Sequence, residues 1–431
     1  MTQLARRLGL FDATMLVMGG IIGSGIFINP SVVARQVHSP ALILGAWIIG
    51  GALALMGAFI WAELATLMPE VGGQYAYLRE AFHPLIGFLY GWALLLVIQT
   101  GGMAAVAITF ARYFLELTNI AAPDWLIAAS ALAVLTLINC LGVVCGGRTQ
   151  SLLMVLKILA LAALIGIGFF APVHTAIAAV PSSADTLTDF GGALVPVLFA
   201  YGGWQTANFV AAEMREPRRD LPRALLLGVI GVIALYLSVN FVCVHVLGAI
   251  GLAATSTPAS AIMRLALGER GAMFIAAAIA ISTLGFLSQS ILTAPRVYYA
   301  MANDALFFRA VARVSARTHV PVVAIILQSV WTIVIALTGR YDQILNYVVA
   351  MDFLFFGLTA CALLVLRKRS RTSSGIRLPG QPFTTLLFVA ACWLVVGNTI
   401  FRYPAHTLIG MAILLAGAPV YAWWNARRRT T

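Results

Sequence analysis

The chain has 431 residues, of which 61% are hydrophobic and only 10% are charged. A soluble domain carries about 25% charged residues, so this composition excludes an ordinary soluble protein and predicts an all-α polytopic membrane protein. The formal net charge of +12 does not indicate a nucleic-acid partner, because most basic residues fall in loops on one side of the predicted spans. By the positive-inside rule that side is cytoplasmic. It also holds both ends of the chain, which predicts a multi-pass protein of the cytoplasmic (inner) membrane with both termini cytoplasmic.

Apolar runs separated by turn residues predict twelve transmembrane helices. In chain order, spans 1 to 12 cover 13–36, 41–67, 84–116, 124–146, 151–172, 189–214, 222–249, 271–301, 321–338, 342–366, 382–402 and 405–425. The five cysteines lie in or at the ends of these spans without the spacing of metal ligands, so neither a metal nor a cofactor is predicted.

Span 1 contains four glycines within seven residues: Gly19, Gly20, Gly23 and Gly25. Glycine costs about 1 kcal/mol against alanine in a helix interior, so this cluster predicts an opened backbone. Inside a membrane, such a break is tolerated only where protein or a wet cavity satisfies the free polar groups. The break offers N–H groups to an anion and carbonyls to a cation, and an amino acid carries one of each. The alternative is close packing of helices through small residues.

The next elements carry three features with open interpretations. Glu63 lies near the end of span 2, where pairing with an arginine such as Arg79 is the simplest explanation. The segment 71–82 that follows is too short and too polar to span, and it is predicted to lie along the cytoplasmic interface. In span 3, Gly101 and Gly102 form a small-residue patch that either shapes a side-chain pocket or packs against another helix.

Span 5 carries Lys157, whose ammonium costs about 2.5–3.5 kcal/mol to place inside a membrane. One interpretation is snorkelling of the side chain to the interface. Another is a buried cation that replaces a bound sodium ion. A third is a lysine that carries a proton, since desolvation favours the neutral amine.

Span 6 repeats the pattern of span 1, with Gly202 and Gly203 beside aromatic and amide side chains. Corresponding breaks in two halves are the best sequence signal of a transporter's substrate site. Two broken helices five spans apart predict two repeats of five helices. The hydroxyl and amide groups of span 8 are expected to face the opened part of span 1. The predicted units are a single transporter domain at 1–431, repeats at 13–172 and 189–366, and two peripheral helices at 382–425.

These motifs resemble a known family, the amino acid, polyamine and organocation transporter superfamily, and more closely the bacterial relatives of the L-type amino acid transporters. The strings that carry the resemblance are Gly23-Ser24-Gly25-Ile26-Phe27, Glu63 to Pro69, Gly72-Gly73-Gln74-Tyr75-Ala76-Tyr77, Phe199-Ala200-Tyr201-Gly202-Gly203-Trp204 and Glu213 to Pro222. The resemblance covers nearly the whole chain. It implies a five-plus-five inverted repeat in which spans 1, 2, 6 and 7 move against a scaffold of spans 3, 4, 5, 8, 9 and 10.

The resemblance also implies a substrate site between the two breaks. The amide groups around Ser24 and Gly25, next to Gly23, and the Ser24 hydroxyl would hold a carboxylate. An ammonium would be taken by the carbonyls of Ile21, Phe199, Ala200 and Gly202. The Phe199 ring would close over the substrate as a gate, and Lys157 would occupy the place of sodium. Gln205 stands where many members have asparagine, which leaves open how span 6 couples to span 5. Side-chain selectivity near Gly101 and Gly102 also stays open.

No acidic residue is adjacent to either break in the sequence, which argues against a dedicated site for basic side chains. The predicted function is therefore sodium-independent transport of neutral L-amino acids by alternating access, most simply as exchange. Proton-coupled symport is the alternative within this class. A membrane sensor or channel, and a hydrolase that pairs Ser24 with His245, are the alternatives from other classes. The predicted partners are the substrate and the lipid bilayer, without a nucleic acid or an evident partner subunit.

Overall fold

The computed structural model describes residues 4, 6–172, 186–338, 341–369, 377, 379–402 and 404–430. Within these residues the secondary structure is helical, apart from one isolated bridge between Leu8 and Met214. The α-helices are α1 Leu10–Ile21, α2 Gly25–Val37, α3 Pro40–Leu67, α4 Gln74–Ala81, α5 Pro84–Ala93, α6 Gln99–Thr118, α7 Asp124–Cys140, α8 Val143–Phe169, α9 Thr186–Tyr201, α10 Pro217–Ala254, α11 Pro258–Leu267, α12 Glu269–Thr293, α13 Pro295–Asn303, α14 Val322–Leu337, α15 Tyr341–Arg369, α16 Phe383–Arg402 and α17 Pro404–Thr430. A π-helical turn at Leu94–Ile98 joins α5 to α6, and 3-10 helices cover Trp204–Glu213 and Arg309–Ala312.

The polytopic membrane fold is confirmed. Each predicted span overlaps a helix, and nine helical segments among the described residues are long and apolar enough to cross a membrane. Large apolar side chains cover the outside of these helices, where Leu137, Leu394 and Phe401 are 67%, 74% and 88% exposed. The helices predicted as spans 4 and 9 are shorter, at 17 and 16 residues, so the count of twelve stays a prediction. Most of the basic linker after span 10 lies outside the described residues.

The predicted boundary between spans 4 and 5 is wrong. Helix α7 ends at Cys140 and α8 begins at Val143, because Gly142 takes a φ of +128° that turns the chain and that few other residues tolerate. The early start of α8 changes the depth of Lys157. At 1.5 Å per residue, Lys157 lies roughly 21 Å along α8 and near its middle, whereas the predicted start of span 5 at residue 151 places it only about 10 Å from the helix start.

Both predicted breaks are confirmed. In span 1 the backbone leaves the helix between α1 and α2, at residues 22–24. In span 6 it leaves after Tyr201, where Gly203 adopts a φ of +113°, and resumes as a 3-10 helix from Trp204. The second break therefore lies at a position where glycine removes the steric cost of the turn, whereas the first break contains no positive φ.

Helix packing places the two breaks against each other. Helices α1, α2, α3, α9 and α10 pack together, while α6, α7, α8, α12 and α14 form a second group. Helix α1 also packs on α8 and α12, so the breaks lie where the two groups meet. Helices α16 and α17 pack mainly on α15 and α5 at the edge of the bundle. The repeat boundaries, the inverted symmetry and relative movement of the groups stay predictions.

The N-terminal segment closes one end of the bundle, which we call the terminal face. The amides of Arg7 and Leu8 donate to the Glu213 carbonyl at 2.9 and 3.0 Å, and the amide of Arg215 donates to the Leu8 carbonyl at 2.9 Å. The Glu213 carboxylate accepts two hydrogen bonds from Arg296, at 2.5 and 3.0 Å, and both side chains are fully buried. Glu213 is therefore part of the closed face and not of a solvated charged loop. The Glu216–Arg219 ion pair that follows is, by contrast, exposed.

A second set of ion pairs at this face corrects the predicted partner of Glu63. Its carboxylate pairs in bidentate fashion with Arg367 at the end of α15. Arg79 on α4 instead donates to Asp304 at 2.6 Å. Tyr75 donates to the same carboxylate at 2.6 Å. Burial and the neighbouring Asp304 raise the pKa of Tyr75, so its hydroxyl stays protonated and keeps donating.

Candidate functional site

A cavity of about 350 Å³ lies between the two breaks, within the 300–1,000 Å³ that is usual for small-molecule sites. Residues of α1, α2, α6, α9, α12 and α15 line it, together with the two breaks. The predicted site residues that line the cavity are Ile21, Gly23, Ser24, Gly25, Gly102, Phe199, Ala200, Gly202 and Gln205. The fold therefore brings together residues that are up to five spans apart in the sequence.

Two predicted residues do not line the cavity. Gly101 is buried on another face of α6 than its neighbour Gly102. Lys157 lies behind the first break, where it contacts the backbone and not the cavity. The position of Gly101 therefore does not support a pocket role. Close packing of α6 against neighbouring helices explains a glycine there.

The first break supplies donors to the cavity. The first N–H groups of a helix lack intrahelical acceptors, and those of α2 begin at the cavity wall beside Ser24 and Gly25. Ser24 is the N-cap residue of α2, and its side chain makes no capping hydrogen bond. Its hydroxyl is thus available to the cavity together with the positive end of the α2 dipole.

The carbonyls of the two breaks are linked by a residue that sequence reasoning missed. The hydroxyl of Tyr236 on α10 lies 3.1 Å from the Ile21 carbonyl oxygen and 3.2 Å from that of Ala200. A hydroxyl has one proton, and a carbonyl oxygen has two lone pairs, so both carbonyls keep the capacity to accept from a ligand. The only signal in the sequence was a tyrosine within the apolar span 7.

Lys157 is fully buried and its amine donates a hydrogen bond to the Ile22 carbonyl. The snorkelling interpretation is therefore wrong, because the side chain turns toward the break and not toward an interface. The Ser282 hydroxyl donates to the next carbonyl, that of Gly23, at 3.3 Å. Lys157 on α8 and Ser282 on α12 thus donate hydrogen bonds to two carbonyls that the break leaves without helical partners.

The glycines of span 1 divide between the two proposed roles. A Cβ on Gly20 would lie 2.7 Å from the Gly203 carbonyl oxygen, so Gly20 permits the close approach of the two breaks. Gly19 packs against the Gln150 side chain in the same way. Gly23 and Gly25 line the cavity instead. Close packing therefore accounts for Gly19 and Gly20, while the positions of Gly23 and Gly25 are compatible with the predicted site.

Side chains of α12 and of the second break complete the floor of the cavity. The Gln289 amide donates to the Thr206 hydroxyl at 2.6 Å, and Thr206 donates to the Gly203 carbonyl at 2.7 Å. The Gln205 side chain accepts from the Gly203 amide at 3.0 Å, so it fixes its own turn and not α8. The expectation for span 8 holds for Ser282 and Gln289, whereas Thr283 bonds back to its own helix, as membrane hydroxyls often do.

Two charged residues of the cavity wall were also missed. Asp352 on α15 and Arg112 on α6 both line the cavity. Arg112 lies 3.8 Å from Asp124 in an ion pair. The argument against a site for basic side chains considered only acidic residues beside the two breaks. Helix α15 brings a carboxylate to the cavity from span 10, that of Asp352.

The hydrolase alternative has no support in the geometry. The His245 ring stacks against Phe169 and Phe241, with ring centroids 6.2 and 5.9 Å away. It does not line the cavity that contains Ser24. Among the described residues that line the cavity, no histidine lies beside Ser24 to act as a base.

Comparison with known proteins decides the family. A model of the family described as amino acid permease matches residues 8–420. The chain belongs to the amino acid permease family. The predicted kinship with the amino acid, polyamine and organocation superfamily is thereby confirmed, and the chain is a transporter and not an enzyme.

Individual relatives agree with this assignment. The serine/threonine exchanger SteT of Bacillus subtilis (strain 168) is 31% identical, over 99% of this chain and 98% of its own length. The large neutral amino acids transporter small subunit 2 of Homo sapiens is 31% identical, over 97% of this chain and 80% of its own length. The cystine/glutamate transporter of Homo sapiens is 28% identical, over 97% of this chain and 85% of its own length. The similarity to L-type relatives thus extends along almost the entire permease.

Proposed function

We propose that this chain exchanges neutral L-amino acids across the cytoplasmic membrane by alternating access. The observation that carries the proposal is the cavity between two broken helices, which presents N–H groups from one break and carbonyl groups from both. The names of the exchanger and of the neutral amino acid transporter among the relatives support the same substrate class. The chain works with both termini in the cytoplasm.

The backbone of the breaks recognises the part that all amino acids share. The substrate carboxylate binds at the start of α2, where the Ser24 hydroxyl and the amides around Gly25 meet the positive helix end. The ammonium binds the carbonyls of Ile21, Ala200 and the neighbouring turn. The side chain then extends away from the breaks, toward the walls made by α6 and α15.

Closing and opening occur at opposite ends of the cavity. At the terminal face the buried Glu213–Arg296 pair and the Leu8 bridge block exit. Toward the other end, the Phe199 ring lines the cavity and is 38% exposed. We assign Phe199 the role of the gate that closes over a bound substrate, and the terminal-face contacts the role of the second gate.

Transport does not require sodium in this proposal. The buried Lys157 amine bonds the Ile22 carbonyl at the first break, where a fixed cation makes a metal ion unnecessary. A lysine that instead releases and takes up a proton would give proton symport, which is the alternative coupling. Exchange and proton symport are distinguished by one observation, which is whether uptake requires amino acid on the opposite side of the membrane.

Reconstituted uptake tests the proposal. The purified chain alone is placed in proteoliposomes, and uptake of a panel of radiolabelled amino acids is measured with and without internal amino acid, in sodium and in choline buffer, at two external pH values. We expect uptake of neutral amino acids that needs internal substrate and ignores both sodium and the pH gradient. Uptake into empty vesicles driven by external acid would establish proton symport. An absence of amino acid uptake would contradict the proposal. It would also contradict the claim that the chain transports without a partner subunit.

A further inference from the structure

The side-chain end of the cavity contains one carboxylate. Among the described residues that line the cavity, Asp352 is the single acidic side chain. It lies on α15, outside both breaks, and the helix packs on α3, α4 and α6. The groups that recognise the substrate backbone, at residues 21–25 and 199–203, therefore do not include it. A substrate held at the breaks would direct its side chain toward α6 and α15.

Asp352 has no hydrogen-bond or ion-pair partner within the described part of the chain, and its carboxylate interacts electrostatically with the buried Tyr90 hydroxyl. The ion pairs and hydrogen bonds there do not involve its carboxylate, in contrast to Glu63 and Glu213, which each accept two bonds from an arginine. Arg112, the one basic residue among the described residues that line the cavity, is paired with Asp124. An unpaired carboxylate in an apolar environment is costly, so a ligand that donates to it gains that energy.

The wall around Asp352 gives a ligand room to reach it. Gly102 on α6 lines the same cavity, and a Cβ placed on it would meet no atom within 4 Å. The neighbours of Asp352 on α15, Val348, Val349 and Phe353, are apolar. A side chain that enters this region passes apolar surface of α15 and reaches Asp352, the one carboxylate among the described lining residues, with Gln99 and Thr109 as polar neighbours on α6.

We propose that Asp352 is a specificity-determining residue that selects amino acids whose side chain carries a hydrogen-bond donor, with a cationic donor bound best. The inference rests on the proposed transport function and widens the substrate class of the same site, from neutral amino acids to those with a hydrogen-bond donor, cationic side chains included. An apolar side chain of equal shape leaves the carboxylate buried without a partner. Sites built around a hydrogen bond reject the analogue that lacks the group far more strongly than apolar pockets reject a missing methylene.

Two isosteric pairs of competitors test the proposal. Threonine and valine differ by a hydroxyl in place of a methyl group, and ornithine and norleucine differ by an ammonium in place of a methyl group. Inhibition of labelled substrate uptake is measured in proteoliposomes for the wild-type chain, for Asp352→Asn and for Asp352→Leu. Glu116→Gln, which removes an exposed carboxylate of α6 that does not line the cavity, is the control.

In the wild-type chain the donor-bearing member of each pair should inhibit at a concentration lower by about tenfold or more. Asp352→Asn keeps an acceptor oxygen but loses the charge, so the ornithine preference should fall about tenfold and the threonine preference should persist. Asp352→Leu should abolish both preferences and favour valine and norleucine. A variant that is inhibited more strongly by apolar amino acids must still fold and transport, so this outcome cannot result from damage to the fold. The control should match the wild type.

Equal inhibition within both pairs by the wild-type chain would overturn the inference while leaving transport intact. So would wild-type preferences in Asp352→Leu. If that variant does not fold, the ornithine preference of Asp352→Asn decides alone, and an unchanged preference overturns the inference. A wild-type chain that takes up no amino acid at all instead refutes the transport function itself.

Discussion

The amine of Lys157 donates a hydrogen bond to the carbonyl of Ile22, the first residue after α1 ends. The side chain that is most expensive to place in the membrane thus lies at the point where the backbone is opened. A freed carbonyl in an apolar environment needs a donor, and a buried ammonium needs an acceptor. Each group satisfies the other, which explains how both persist near the middle of a span.

Removing the Lys157 amine should impair transport because the Ile22 carbonyl then loses its donor. Such a loss costs about 1–3 kcal/mol, which corresponds to roughly a 5- to 150-fold change in an equilibrium. We expect uptake by Lys157→Met to fall within this range, since methionine keeps much of the side-chain length. Uptake rates in proteoliposomes at pH 6 and pH 8 measure the effect.

Lys368→Ala is the matched control, because Lys368 is exposed at the end of α15. It should transport like the wild type. Unchanged kinetics of Lys157→Met at both pH values would remove Lys157 from the mechanism. A pH dependence that disappears in Lys157→Met would identify the amine as a proton carrier.

A methyl group on Gly203 should separate the two breaks. Gly203 has a φ of +113°, and its Cβ would lie 2.6 Å from the Gly20 carbonyl carbon. Backbone strain of this kind costs about 1–3 kcal/mol before any clash is counted. We expect Gly203→Ala to lower the melting temperature in detergent and to abolish uptake. Gly166→Ala is the control, because Gly166 lies exposed on α8 with open space around it. Equal stability of the two variants would show that the breaks do not need this contact.

The sequence predicts both breaks because glycine clusters are local signals, and it predicts the family because the motifs beside the breaks are specific. It does not predict which side chains reach the cavity from distant spans. Tyr236 and Asp352 lie in apolar helices without a motif, and only helix packing brings them to the breaks. The predicted depth of Lys157 is wrong for a different reason. The turn at Gly142 lies inside predicted span 4, so the predicted start of span 5 comes too late in the chain. Long-range packing thus sets what local patterns leave undetermined.

Filling the space beside Gly102 should change selectivity and not stability. Its Cβ position is empty to 4 Å and faces the cavity. We expect Gly102→Val to fold normally and to lower uptake of large amino acids, relative to alanine, by about tenfold or more. Competition of phenylalanine and alanine for labelled uptake measures the ratio. Gly397→Val adds the same group to an exposed, uncrowded position on α16 and should leave the ratio unchanged. A wild-type ratio in Gly102→Val would place the substrate side chain elsewhere.

The terminal face should depend on one buried ion pair far more than on its exposed neighbour. Glu213 and Arg296 are both fully buried, whereas Glu216 and Arg219 are each 61% exposed. Removing one partner of a buried pair leaves an unpaired charge and costs about 3–5 kcal/mol, while an exposed pair contributes about 0–1 kcal/mol. We therefore expect Glu213→Gln to lower the melting temperature in detergent strongly and Glu216→Gln to leave it nearly unchanged. Glu213 also anchors Leu8 through its backbone carbonyl. The substitution keeps this carbonyl, so the fall in melting temperature reports the loss of the side-chain ion pair.

Equal melting temperatures for the two variants would mean that the Glu213–Arg296 pair does not hold the terminal face closed. A labelled cysteine at position 8 that becomes accessible only in Glu213→Gln would show, conversely, that this pair is the lock.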